Sequence, residues 1–96
     1  MELIDTHCHL DLEAFDADRD AVLNRSRRAG VERFLLPAVD REHWTRLLTL
    51  CRPKSGLMPA LGMHPVFMAR HRDSHLADLD AAIAAERPAA VGEIGL

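Results

Sequence analysis

Apolar residues gather in four short runs along the chain: ELIDTH (2–7), VERFLLPAV (31–39), GLMPALGMH (56–64) and AAVGEIGL (89–96). Three stretches with helical spacing separate them. In the first, Asp16 is expected to cap a helix that runs to about Ala29, with Gly30 as its stop. The RSRR run places cations in its last turn, where they complement the helix dipole. In the second, Asp40 can act as the cap. Trp44, Leu47, Leu48 and Cys51 then recur at i, i+3, i+4 and i+7, the spacing of one buried helix face, and Pro53 ends the pattern. The third starts at Asp73 or Ser74 and ends at Pro88. Its stripe of Leu76, Leu79, Ile83 and alanines suits a helix lying close against a sheet.

FLLPAV and PAAVGEIGL are apolar at successive positions rather than alternate ones. Strands of that kind are expected to be covered on both faces, as in a parallel sheet flanked by helices. The predicted class is therefore α/β, with strands and helices alternating from a first strand to a fourth and right-handed crossovers between them. Patterning leaves open a doubly wound sheet and the first half of a (β/α)8 TIM barrel. The chain stops near the end of its fourth strand. An uncovered apolar edge is an association hazard, so residues 1–96 are expected to be one domain that forms the N-terminal part of something longer.

Composition narrows the function classes. Twelve basic and fifteen acidic residues give a formal charge of −3, so binding nucleic acid through a general positive field is not expected. Cys8 and Cys51 form no CxxC pattern and read as reduced thiols. There is no basic leader followed by a long apolar stretch, and no apolar run near membrane length. Both point to a cytoplasmic protein without a membrane partner.

The chemistry-bearing residues sit at the ends of the predicted strands, where both parallel architectures collect function. In DTHCHLD, Asp5, His7, His9 and Asp11 share one side if the segment is extended. Two imidazoles at that spacing suit a chelated divalent transition metal. Asp5 could orient one ring from behind, whereas Asp11 reads as a turn or helix-entry residue. Glu93 is the lone carboxylate in AAVGEIGL. Burying it unpaired would cost several kcal/mol, and a metal would supply the missing charge. His64, in LGMHP, could be a ligand, a phosphate donor or a proton carrier. His43, His71 and His75 read as surface residues, and Arg25, Arg27 and Arg28 as a solvated helix end. Two histidines and one carboxylate are too few for a closed site but suit part of a two-metal site with a bridging carboxylate.

IDTHCHLD (4–11), LGMHP (61–65) and VGEIGL (91–96) together resemble the successive blocks of the TatD family of metal-dependent deoxyribonucleases, within the amidohydrolase-like (β/α)8 barrels. The resemblance spans the chain, which looks like the first four strands of such a barrel. It implies that His7 and His9 bind one metal, that Glu93 bridges two, and that His64 faces substrate at the rim. It implies two divalent ions (Mg, Mn or Zn), single-stranded DNA or its 3′ ends as substrate, and a cytoplasmic location. The family's remaining ligands, two histidines and a late water-activating aspartate, fall on later strands, so this chain alone is expected to be inactive. Two other readings stand beside this one. A related amidohydrolase would act on a small amide, lactone or phosphoester. A non-catalytic half-barrel would bind metal or self-associate through its open edge.

Overall fold

The computed structural model describes residues 1–52 and 56–95. Four strands form one sheet: β1 (Leu3–Asp5), β2 (Val31–Pro37), β3 (Leu57–Leu61) and β4 (Ala90–Val91). Every adjacent pair is parallel, and the spatial order β1-β2-β3-β4 is the chain order. A doubly wound sheet reverses its strand order at a switch point. No reversal occurs here, and right-handed crossovers in one direction put all the helices on one side. The sheet therefore curls as the first half of a (β/α)8 barrel, which resolves the choice left open by patterning.

The helices are α1 (Arg19–Arg28), α2 (Trp44–Cys51) and α3 (Ser74–Glu86). Phe34, Leu36 and Ala38 alternate along β2 toward the helices. They form a buried cluster with Leu23, Trp44, Leu47, Cys51, Leu57 and Leu61. Asp40 caps as expected: its carboxylate accepts the His43 N–H (3.1 Å), starting a 3-10 turn, Arg41–His43, that leads into α2. The stop expected at Pro53 lies outside the described residues. Arg87 takes a left-handed conformation (φ 48°) after α3, and Pro88 follows it.

Three expectations need correction. Asp16 does not cap α1, which begins at Arg19 after Asp18. A 3-10 turn, Glu13–Phe15, intervenes, and the Asp16 carboxylate instead binds the guanidinium groups of Arg19 (2.9 Å) and Arg46. Two cations outbid a backbone amide for that charge. The cover expected on both faces is also only partly present: in FLLPAV, Phe34, Leu36, Pro37, Ala38 and Val39 are buried as expected, whereas Val91 of the fourth strand is 48% exposed. The cover thins at the edges of the sheet, where Leu3 and Ile4 of β1 are 45% and 50% exposed, and is complete in the middle, where the neighbours Ala60 and Leu61 are both buried. Finally, α3 buries no residue fully, and Leu76 faces solvent rather than the sheet. Leu79 and Ala82 are the α3 residues that pack, partly buried, against the core.

Candidate metal centre at the C-terminal rim

Hydrogen bonding continues past the strand ends and builds the rim. Cys8 N donates to Leu35 O (3.1 Å) and His64 N to Val39 O (2.8 Å). Glu93 is gripped through both backbone groups: its N–H donates to Ala38 O (2.9 Å), and its carbonyl accepts from Met63 N (2.7 Å). This crossing brings the Gly92–Glu93 backbone against Gly62. A Cβ at Gly62 would collide with Glu93 O and lie 2.5 Å from Gly92 C, so only glycine fits. Trp44 Nε1 donates to Gly62 O (3.0 Å) from the other side.

Three predicted site residues converge here. His7 Nε2 and His9 Nε2 lie 3.4 and 3.3 Å from the same oxygen, Glu93 Oε2. The two nitrogens are 3.3 Å apart, with their rings edge-to-face. Two N–H···O bonds could serve two edges of this triangle, but they would leave the two N–H groups head to head on the third. A cation uses all three donors at once. A divalent ion bound at about 2.1 Å with near-tetrahedral angles needs donors roughly 3.4 Å apart, so the triangle has the right size for one. Exposure falls from His7 (56%) through His9 (30%) to Glu93 (15%), so the site opens on the His7 side.

His64 stands just outside, with Nε2 3.9 Å from Glu93 Oε2. Its Nδ1 accepts the Val66 N–H (3.0 Å), which starts the 3-10 segment Pro65–Arg70. In the neutral ring that bond fixes the proton on Nε2, which is thus a donor aimed at the centre. Asp5 acts on the backbone beside the site. Its Oδ1 accepts the backbone N–H of His7 (3.0 Å), so it braces the segment that carries the ring.

Several neighbours are more deeply engaged than their sequence context suggests. Asp11 lies in a turn, as expected, but is only 1% exposed, and its Oδ1 has no partner. Burial pushes its carboxyl up, against the pull of its own amide and of His9, His43 and Arg46. His43 is not a free surface residue. Its Nδ1 bonds the buried Asp40 carboxylate (2.6 Å), and its Nε2 lies 3.4 Å from Glu13. The Asp40 bond, stronger than the opposing effect of burial, raises the His43 pKa. Burial by itself would raise the Asp40 pKa, but the bonds from His43 and Arg70 outweigh it and hold it low. His71 is half-buried, and its Nε2 donates to His64 O (2.7 Å), so it buttresses the rim rather than standing free. The Asp-x-x-His spacing of Asp40 and His43 at a helix start was the available cue. Cys8 and Cys51 are free thiols that burial pushes up to about 11 and about 12, which leaves them protonated and unreactive.

A His-x-His pair and a glutamate thus converge at the mouth of a sequential parallel half-barrel, a donor set that suits a divalent metal. A sequence profile described as TatD related DNase matches residues 4–96, and the chain belongs to that family. It is 44% identical over 96 residues to a metal-dependent hydrolase of Escherichia coli K12, YjjV, named as uncharacterized. It is 34% identical over 103 residues to the human deoxyribonuclease TATDN3. The crystal structure of E. coli YjjV, described as a TatD homolog, superposes with a TM-score of 0.89 at 43% identity, over 98% of this chain and 37% of that one. The matches cover 97% and 98% of this chain but only 37% and 38% of the two curated relatives. No helix among the described residues is long and apolar enough to cross a membrane.

Proposed function

We propose that residues 1–96 are the N-terminal, four-stranded portion of a divalent-metal hydrolase that cleaves DNA phosphodiester bonds. His7, His9 and Glu93 are its metal ligands, and His64 is its substrate-facing donor. The observation that carries this reading is the 3.3–3.4 Å triangle of His7 Nε2, His9 Nε2 and Glu93 Oε2. Two imidazoles favour zinc or manganese over magnesium, which prefers oxygen ligands. Glu93 presents Oε2 to the histidines, and a carboxylate with two oxygens would suit a bridging role between two ions. The names of relatives support the substrate class: human TATDN3 is called a deoxyribonuclease, and a Cronobacter turicensis relative, 30% identical, is called a 3′-5′ ssDNA/RNA exonuclease.

Bound divalent metal supplies Lewis acidity and an activated water at neutral pH. The chain's own residues do the rest. His7 and His9 offer neutral donors on a short backbone span that Asp5 stiffens at the His7 amide. Glu93 is held by its two backbone bonds, which fix the point from which its carboxylate reaches the centre. His64 keeps its Nε2–H aimed at the centre, where it can donate to a non-bridging phosphate oxygen as charge builds.

The test uses the whole barrel with single-stranded DNA and Mn²⁺ or Mg²⁺. Release of nucleotides that stops with chelator, and falls at least about 1,000-fold in Glu93→Ala, is the expected result. Nuclease activity that survives both treatments overturns the reading. Hydrolysis of small amides or lactones with no action on DNA would keep the metal centre and replace the substrate.

A further inference from the structure

A second constellation lies beside the metal centre and takes no part in it. A cleft of about 550 Å3 opens among the three loops that follow β1, β2 and β3. Leu12 and Val39 contribute apolar wall, and Glu13, His43, Phe67 and Arg70 line the rest. The Arg70 guanidinium lies 4.4 Å over the Phe67 ring. Phe67 meets His64 edge-to-face at 5.4 Å, and His64 in turn faces Glu93. One side chain therefore connects the cleft to the metal cluster.

Asp40 organises this cleft. It is 1% exposed, and it bonds Arg70 Nη1 (2.9 Å) through one oxygen and His43 Nδ1 (2.6 Å) through the other. A buried carboxylate here holds a half-exposed arginine over an aromatic ring at the lip of an open cleft. A guanidinium plane backed by phenylalanine is a stacking surface for a planar, electron-rich partner. Electrostatics decide against a phosphate. Asp40 already balances Arg70, and Glu13 and Glu42 add carboxylates at the border. A second phosphate would be repelled, whereas a base would offer amino and ring N–H groups that those carboxylates can accept.

We infer that this cleft is a nucleobase subsite, in which Arg70 and Phe67 form the platform for the base beside the phosphodiester held at the His7–His9–Glu93 centre. The inference rests on the hydrolase reading above. The subsite makes binding depend on a stacked base, and it disfavours strands whose terminal bases are paired and unavailable.

The experiment compares the whole enzyme and its Phe67→Ala variant on two single strands. One is natural, and the other carries abasic sugars flanking the scissile bond. Stacking of one base gives an expected rise in KM of about tenfold for Phe67→Ala on the natural strand. On the abasic strand the variant and the parent should match, because the lost partner is already gone. Phe67→Tyr should restore the natural-strand KM. Arg70→Lys keeps the charge but loses the plane, so it should raise the natural-strand KM about threefold and leave the abasic strand unaffected. Equal losses on both strands, or none on either, overturn the subsite. So does an Arg70→Lys variant that folds with unchanged melting temperature and discriminates between the strands as the parent does. If the parent cleaves neither strand with metal present, the hydrolase reading fails and takes the subsite with it. Cleavage of both with no base dependence removes the subsite alone.

Discussion

The central wall of the molecule and its flank are built from similar residues but packed to different depths. In the centre, Leu36, Leu47 and Leu61 are 0% exposed, and α2 sets large side chains in one stripe against β2 and β3. On the flank, β4 has two residues and α3 buries none, with Leu76 62% and Ile94 67% exposed. The candidate site draws on both ends of the sheet, with His7 and His9 following β1 and Glu93 following β4. What fixes Glu93 is not its own short strand but its backbone bonds to Ala38 and Met63, at the ends of the central strands. A thin element can hold a well-placed ligand when a thick one pins its backbone.

This contrast can be broken by mutation. Leu47→Ala should cost about 3–4 kcal/mol of stability, since a fully buried leucine leaves a cavity, while Leu76→Ala should stay within about 0.5 kcal/mol. Denaturant melts of the two variants measure the gap between centre and flank. Glu93→Gln comes next. It keeps the shape but removes the charge, and should weaken metal binding at least about 100-fold, or about 2.7 kcal/mol, in a calorimetric titration. Gly62→Ala sharpens the claim that the centre positions Glu93. Its Cβ cannot coexist with the Glu93 carbonyl, so the variant should lose about 1–3 kcal/mol of stability. It should also lose metal affinity, although residue 62 is no ligand.

The smallest effect is electrostatic. His43 has a raised pKa in the fold, so its contribution is complete below its ordinary 6.5 and is lost as pH rises through the folded value. Asp40 has a lowered pKa, so its contribution is present above 3.8 and is lost as pH falls through its folded value. The melting-temperature gap between the parent and His43→Ala should therefore be widest between those two ordinary values and shrink on either side. A gap independent of pH would assign His43 a packing role only.

Much of this was legible in the sequence. Apolar runs mark the four strands, and strand-end placement of His7, His9, His64 and Glu93 marks the rim. Period alone does not report strand order, because the same βαβ units build both candidate sheets; pairing of β1 with β2 and of β3 with β4 decided it. Nor does period report which cations reach a carboxylate, so Asp16 read as a cap while Arg46, thirty residues on, claims it. Asp40 and His43 share the loop after β2, but Arg70 comes from the loop after β3, thirty residues on, and joins them only once β2 and β3 lie side by side. Burial of Asp11 was hidden for the same reason, since its neighbours are brought by α2.

The central claim is that His7, His9 and Glu93 are ligands to one ion. Anomalous diffraction from crystals grown with Mn²⁺ or Zn²⁺ tests it most directly. The account predicts a metal peak within about 2.0–2.3 Å of His7 Nε2, His9 Nε2 and Glu93 Oε2 together, which disappears in Glu93→Gln. A peak that avoids this triangle, or one that persists there unchanged in Glu93→Gln, would contradict it.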